Sequence, residues 1–555
     1  MRVCTAVQMA AIDADTIAGG IPGEKLMERA GHVLAEALLD FLAENSDGAH
    51  DEHDHDHDHG SCSHDHGPGV LIICGKGNNA GDGLVVARLL AAEECSVTVM
   101  FLDQPNVLSA DALLNFGRLP QNVRMVVPEA ELWSETFSEL AQEADVVVDA
   151  IFGTGIKLPL REPHIHLIRA INDTGLPCLA VDIPSGVSGD DGRVNPVAVA
   201  ADLTVTMGLP KLGLLLAPGR DFVGDIEVAD IGFSEEACRQ HTGELRWLQR
   251  EDYLALLAPR PGTVHKYRCG RLLVMAGSRD FGGAAHLAGL GALRSGVGLV
   301  AMAVPSCLET ATRVILPEAV TRAVTETPTG TIAPLMAPVL DDMLKNKQAL
   351  AIGPGLGADP VTDEWVVELL ANQTLPMVVD ADALSAIGRR DLEPVFGSDQ
   401  VILTPHAGEL SRMLKMSSED IERRRLHLVG ELASKWNVVL MLKGSPSVIG
   451  APDGRVFINP TGDDALARGG SGDVLTGLLG GLLAQGMNAL DAALLGAYIH
   501  GQAGTVAARG LSNRSVLVRE IAAAIGPVFE EMEKEASASA ELREKIWPVN
   551  PETSS

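Results

Sequence analysis

Short runs of β-branched and aliphatic residues alternate with longer Ala/Leu-rich runs, and this rhythm is played twice along the chain. The first series occupies residues 70–74, 97–101, 146–150 and 179–182; the second occupies 271–276, 349–352, 377–380, 401–404 and 438–442. Each short run leads into a Gly-rich turn or a polar loop. Repeated βα units of this kind predict parallel sheets covered by helices, with ligands at the C-terminal strand ends. A length of 555 residues exceeds one ordinary core, so two α/β domains are expected. The charged stretch 236–262, ending in Pro259-Arg260-Pro261-Gly262, is read as linker and domain start between domains at 1–235 and 263–528. The Glu/Lys/Ala/Ser-rich tail, 529–555, is expected to fray.

Composition narrows the partners. Lys and Arg number 43 against 74 Asp and Glu, a net charge of −31, and aromatics make up 3%. Nucleic acid and anionic membranes are excluded as partners, because both need a basic face. Single lysines and local backbone amides can still hold a phosphate-bearing ligand. The eight cysteines are scattered without C-x-x-C spacing, which points to a reducing, cytoplasmic setting. The first residues lack a charged-then-apolar leader pattern. The longest apolar stretch, 474–498, is broken by Gln485, Asn488 and Asp491 and reads as two buried helices. Residues 46–68 form a His/Asp-rich insertion that cannot bury a core; it is expected to be a disordered loop with possible transition-metal affinity.

The stretch Gly469-Gly470-Ser471-Gly472-Asp473-Val474-Leu475-Thr476-Gly477 opens a helix on small residues. Its first amides are bare and its positive dipole end is exposed, which suits phosphate. An acid beside a phosphate cradle is otherwise repulsive. Asp473 is therefore read as a base acting on a hydroxyl near the transferred phosphoryl group.

In the first half, Gly75-Lys76-Gly77-Asn78-Asn79-Ala80-Gly81-Asp82-Gly83 follows a strand and opens a helix, a partial match to the dinucleotide-binding pattern. The strand ends Asp149-Ala150-Ile151-Phe152-Gly153-Thr154-Gly155 and Asp182-Ile183-Pro184-Ser185-Gly186 converge beside it. With Ile12-Asp13, Gly20-Ile21-Pro22 and Leu26-Met27-Glu28-Arg29-Ala30-Gly31, these motifs resemble the NAD(P)H-hydrate epimerase domain over about residues 1–235. The resemblance implies a Rossmann-like three-layer αβα fold and a potassium ion held by Asn79, Asp149 and Ser185. It implies contact with hydrated NADH or NADPH through Asn78, Asn79, Ala80, Gly81, Asp82, Asp182 and the loop Gly153, Thr154, Gly155, Ile156, Lys157, Leu158, Pro159. Asp182, with Lys157, is expected to move protons while C6 of the hydrated nicotinamide inverts. Ala80 stands where that family usually carries Gly.

In the second half, Gly277-Ser278, Gly282-Gly283-Ala284, Gly353-Pro354-Gly355-Leu356-Gly357, Asp380-Ala381-Asp382, Thr404-Pro405-His406-Ala407-Gly408-Glu409 and Lys443-Gly444-Ser445-Pro446-Ser447 stand at or just after strand ends. Lys443 is typed to reach a phosphate; His406 either contacts a ligand or caps its helix. Together with Gly469 to Gly477 they resemble the ADP/ATP-dependent NAD(P)H-hydrate dehydratase domain, a ribokinase-like αβα fold, over about 245–525. The whole chain then resembles the bifunctional NAD(P)H-hydrate repair enzymes. The resemblance implies Ala284, Gly357, His406 and Asp473 at the hydrate. It implies Lys443, Gly444, Ser445, Pro446, Ser447, Gly470, Ser471 and Gly472 at ADP or ATP, with Mg²⁺. Thr461-Gly462-Asp463-Asp464-Ala465-Leu466-Ala467-Arg468 departs from the family's usual approach to the glycine run by adding two acids. A homo-oligomer is expected. Two other readings stand beside this one: a ribokinase-type small-molecule kinase, and a metal-handling protein using the His-rich loop.

Overall fold

The computed structural model describes residues 1–47, 67–93, 95–257, 260 and 265–546. The His/Asp-rich stretch 50–66, with its expected metal binding, lies outside them. The chain forms two compact units, Met1–Leu245 and Arg246–Ser555. The stretch read as linker is structured on both sides of that boundary: helix Glu235–His241, strand Leu245–Trp247 and helix Arg250–Leu256.

The first unit carries a seven-stranded sheet. Its order is Arg124–Val126, Ser96–Phe101, Gly69–Cys74, Val146–Ala150, Cys178–Val181, Leu203–Met207 and Asp225–Ala229. Every pair in it is parallel. The first strand, Gly69–Cys74, is buried along its whole length. Val70, Ile72 and Cys74 enter one core cluster, while Leu71 and Ile73 enter another. A strand with helices on both faces needs that double apolarity, which is why the run reads as continuous rather than alternating. The strand order reverses between Gly69–Cys74 and Val146–Ala150. Such a switch point leaves a crevice at the carboxyl ends, and Cys74 lies in register with Ala150 there.

The second unit carries a ten-stranded sheet ordered Val320–Val324, Leu299–Pro305, Arg271–Met275, Ala349–Ile352, Met377–Val379, Val401–Leu403, Val439–Leu442, Val448–Gly450, Val456–Ile458 and Leu245–Trp247. Pairing is parallel as far as Val439–Leu442 and then antiparallel through the next two strands. That antiparallel extension has no counterpart in the rhythm of the sequence, because its strands span only three residues each. The switch point lies between Arg271–Met275 and Ala349–Ile352.

The apolar stretch at 474–498 forms the helices Ser471–Ala484 and Ala489–Ala508. No helix among the described residues is long and apolar enough to cross a membrane. Helix Ser471–Ala484 packs against helix Gly282–Arg294 backbone to backbone: a Cβ at Gly477 would stand 1.9 Å from the Ala288 carbonyl oxygen. Any side chain there forces the two helices apart. The final helix, Val518–Ile546, runs past the point at which fraying is expected. Met532 is fully buried, and Arg250 Nε donates to Glu535 Oε2 at 2.6 Å while its Nη1 reaches the Tyr498 hydroxyl. An apolar anchor and a buttressing arginine thus hold a segment whose composition alone reads as tail.

Candidate functional sites at the two switch points

In the first unit, helix Asn78–Leu90 begins directly after strand Gly69–Cys74, with Gly77 as an N-cap that offers no side-chain bond. The first amides of the helix are therefore free for a ligand. Asn78 is exposed, with its Oδ1 accepting from Ser109 Oγ at 2.7 Å. Asn79 is buried; its Nδ2 donates to the Phe152 carbonyl at 3.1 Å, and its Oδ1 faces Gly153. On the neighbouring strand Asp149 is completely buried. Its Oδ1 accepts from Ser185 Oγ at 2.7 Å and its Oδ2 from the Ser185 amide at 2.7 Å. Burial pushes the Asp149 carboxyl up to about 6, against the pull of those bonds. Asp149 and Ser185 are thus bonded directly and Asn79 joins them through Phe152, whose amide donates to Ser185 Oγ at 2.9 Å, so the side chains offer oxygen as their only ligand type. That chemistry suits a hard cation rather than a thiophilic one. Among the described residues no group of three or more His, Cys, Asp or Glu side chains is placed to hold a metal.

Asp182 ends strand Cys178–Val181 with φ +66°, a left-handed conformation that a non-glycine residue adopts only under constraint. The constraint is Lys211, whose side chain is 1% exposed. Lys211 Nζ donates to Asp182 Oδ1 at 2.5 Å, to Thr206 Oγ1 at 3.1 Å and to the Met207 carbonyl at 2.9 Å. The Met207 amide and Thr206 hydroxyl also converge on Oδ1. Oδ2 takes none of these bonds. Lys157, expected to move protons together with Asp182, is exposed on the Gly153–Pro159 loop. The signal for Lys211 was present: a lone lysine in the apolar run 209–216, just past a strand. On that loop Ile156 and Leu158 pack on the core, while Gly155 and Pro159 face solvent. Asp82, one turn into the Asn78 helix, is held well above the usual carboxylate range by burial, with Asp182 nearby adding to it. A deeply buried acid and a lysine-paired one therefore share this crevice.

In the second unit a cavity of about 700 Å³ opens at the strand ends. Lys443, Gly444, Ser445, Ser447, Gly470, Ser471, Gly472, Asp473 and His406 line it; Ala284 and Gly357 lie outside the lining. Gly470 caps helix Ser471–Ala484 with φ +102°, and a Cβ there would meet Leu287 at 2.5 Å, so only glycine fits. Lys443 reaches over the run, its Nζ 3.3 Å from where a Gly472 Cβ would be. Lys443 Nζ also donates to Asp380 Oδ1 at 2.7 Å, and Thr476 Oγ1 donates to Asp380 Oδ2 at 2.7 Å. Burial works against the Lys443 charge, yet Asp380 and Glu409 raise its pKa above the ordinary lysine value. Burial first, and Asp380 second, push the Asp473 carboxyl up to about 7, with Lys443 pulling the other way. A carboxylate near 7 beside a helix N-terminus and a lysine is an arrangement for removing a hydroxyl proton at neutral pH.

His406 proves to be a cap: its Nδ1 accepts from the Gly408 amide at 2.9 Å, and Glu409 Oε2 accepts from the His406 amide at 2.9 Å. Its ring still borders the cavity. Across the switch point, the Gly357 amide donates to Asp382 Oδ2 at 2.8 Å, and a Cβ at Gly355 would lie 2.8 Å from Ala284 Cβ. Ala284 thus lies against Gly355, two residues before Gly357, and Asp382, which accepts from the Gly357 amide, adds to the rise of the Asp473 carboxyl.

Residues 272–526 match the family of NAD(P)H-hydrate dehydratases, and residues 23–213 match the YjeF-related protein N-terminus family. A bifunctional NAD(P)H-hydrate repair enzyme of Moorella thermoacetica is 39% identical over 469 residues, covering 84% of this chain and 88% of the relative. The chain belongs to the bifunctional NAD(P)H-hydrate repair enzyme family. Another member, from Salinibacter ruber, is 34% identical over 519 residues, covering 90% of this chain and 91% of its own. Among solved structures, the ADP/ATP-dependent NAD(P)H-hydrate dehydratase of Bacillus subtilis, co-crystallised with ATP and Mg²⁺, is 32% identical. It spans 51% of this chain and 98% of its own, with a TM-score of 0.45.

The two departures from the repair-enzyme pattern have local explanations. Ala80 is fully buried within the core cluster beneath its helix, so its methyl packs inward. Asp463 caps the turn Asp464–Leu466, accepting from the Ala465 amide at 2.9 Å and from Thr505 Oγ1 at 3.1 Å. Asp464 accepts from Asn513 Nδ2, and Arg468 donates to the Asn513 carbonyl at 2.6 Å. Asp463 is held by its own loop and the neighbouring helix, and Asp464 by the turn that follows that helix.

Proposed function

We propose that this chain repairs hydrated NADH and NADPH, epimerising the C6 hydroxyl in the first unit and removing it in the second at the expense of ADP or ATP. The observation that carries the reading is Asp473, a carboxylate raised to about 7 at the mouth of a glycine-capped helix with Lys443 overhead. Hydroxide leaves C6 poorly near neutral pH. Asp473 takes the hydroxyl proton and the oxygen attacks the terminal phosphorus of the nucleotide, breaking its bridging P–O bond and releasing AMP from ADP or ADP from ATP. The ring nitrogen's electron pair then expels the C6 phosphate, and loss of a proton from C5 to solvent restores the C5–C6 double bond. The amides of Gly470, Ser471 and Gly472, with Lys443, hold the transferring phosphoryl group. Lys443, Gly444, Ser445, Pro446 and Ser447 hold the remainder of the nucleotide phosphates. Ala284, Gly357 and the outer ring edge of His406 face the hydrate.

Three acids, Asp380, Glu409 and Asp473, act on the single lysine Lys443 there, and a fourth, Asp382, acts on Asp473. That excess of negative charge fits a divalent cation arriving with the nucleotide, and Glu409 would meet it directly or through water. Mg²⁺ supplies charge neutralisation on the phosphoryl oxygens.

In the first unit the C6 hydroxyl sits beside the ring nitrogen as a carbinolamine. Asp182 Oδ2 removes its proton, C6 becomes an aldehyde carbon, and the C6–N1 electron pair moves to nitrogen. Closure on the opposite face returns the proton and gives the other epimer. Lys211 holds the carboxylate in place, and the amides of Asn78 to Asp82 with the Gly153 to Pro159 loop bind the dinucleotide. Asn79, Asp149 and Ser185 would hold potassium, which supplies a fixed positive charge at the floor of the crevice. The described cysteines are unpaired, which supports a cytoplasmic setting.

The test is incubation of both hydrate epimers with Mg²⁺ and ADP or ATP. Regained dihydronicotinamide absorbance with stoichiometric phosphate is expected; a stable phosphorylated product would favour a kinase instead. Potassium is tested without catalysis: KCl in place of LiCl is expected to raise the first unit's melting temperature. A stabilisation of about 1 kcal/mol moves it by roughly 2–4 °C. Asp149→Asn is expected to abolish the difference, and equal melting of the wild type in both salts would rule out the site.

A further inference from the structure

His500 lies on helix Ala489–Ala508 and borders the same cavity as Lys443 and Gly472. The residue is 6% exposed, and its Nε2 is buried without a hydrogen-bond partner among the described residues. The Ser471 backbone beside the ring favours a proton on it. With Nε2 the nitrogen that lacks a partner, that proton is assigned to Nδ1. Burial holds the ring neutral, its pKa lowered to about 4. A neutral imidazole that donates through Nδ1 presents a bare lone pair at Nε2.

A buried acceptor on a cavity wall is costly until an N–H or O–H meets it. Phosphate oxygens cannot do so, because they are acceptors themselves. The nucleoside half of an adenine nucleotide can, through its exocyclic amine or a ribose hydroxyl. The surrounding wall suits that half: Met441, Leu466, Leu475, Ala497 and Gly501 border the cavity with apolar or small side chains. We infer that His500 is a specificity-determining residue that accepts a hydrogen bond from the nucleoside of the bound adenine nucleotide. This rests on the nucleotide occupying the cavity as proposed above.

The source of the donor is separated by substrate analogues. Inosine triphosphate replaces the amine with a carbonyl oxygen, an acceptor facing an acceptor; 2′-deoxy-ATP and 3′-deoxy-ATP each remove one hydroxyl. For the wild type, kcat/KM in hydrate dehydration is expected to fall about tenfold or more with one of these analogues relative to ATP. His500→Leu is expected to bring that ratio close to one. His500→Gln, whose Oε1 keeps an acceptor at the same reach, is expected to retain most of it. Should His500→Leu fail to fold, His500→Asn, which withdraws the acceptor, is read in the same way. Undiminished discrimination in the apolar or shortened variant, or none in the wild type, overturns the inference. Absence of dehydration by the wild type with ATP and ADP overturns the functional reading instead.

Discussion

Asp473→Asn is expected to lower dehydration of the S epimer by about 10²–10⁴-fold, the usual weight of a positioned base, while epimerisation runs at the wild-type rate. The amide keeps the shape and the helix start but cannot accept the proton. The wild-type pH profile carries the same information. With its carboxyl raised to about 7, Asp473 is protonated below that value, so dehydratase kcat/KM is expected to fall about tenfold per pH unit there. The Asn variant should lose this acid limb. Its loss of activity is separable from unfolding by the sign of the linkage. A carboxyl whose pKa is higher folded than unfolded binds its extra proton in the folded state, so it costs stability as pH rises from about 4 to 7. Above pH 7 the Asn variant should melt no lower than the wild type. Wild-type turnover in Asp473→Asn would remove the assigned base.

Lys211→Met is expected to cost epimerisation at least about 100-fold at neutral pH and leave dehydration of the S epimer intact. The substitution leaves Asp182 buried with only the Thr206 hydroxyl and the Met207 amide as partners. Breaking one side of a buried ion pair costs about 3–5 kcal/mol. The loss is expected in kcat of epimerisation, with KM for the hydrate little changed. In the double variant Asp182→Asn/Lys211→Met no charge is stranded, so stability should return while activity does not. Full epimerisation in Lys211→Met would detach Lys211 from the chemistry.

What could be read from the chain, and what could not, divides along sequence distance. Gly470 to Asp473 was legible because small residues, an acid and an apolar run within nine positions state a helix start with an open anion site. The sheets were legible because strands buried on both faces must be apolar throughout. Lys211 meets Asp182 from 29 positions away, Lys443 meets Asp380 from 63, and Thr476 meets Asp380 from 96. No local spacing encodes those pairings; the parallel crossovers create them. Lys157 lies in the expected loop but is exposed, whereas the lysine bonded to Asp182 is the buried Lys211. His406 had two possible readings, and the capping bonds of Gly408 and Glu409 show that the ring serves its own helix first. The added acids at 463 and 464 looked like a charge burden until Thr505 and Asn513, roughly forty to fifty positions on, turned out to hold them.

The contact at Gly477 has a bearing on breadth of substrate. Because main chain touches main chain at that seam, the shoulder bearing Ala284 and the shoulder bearing Asp473 move as one piece. A slot of fixed width is then expected around the reacting ring, common to both hydrates. Room for the extra phosphate that distinguishes NADPH from NADH has to be found among loops farther out, so variants that alter coenzyme preference should cluster there and leave the ring chemistry untouched.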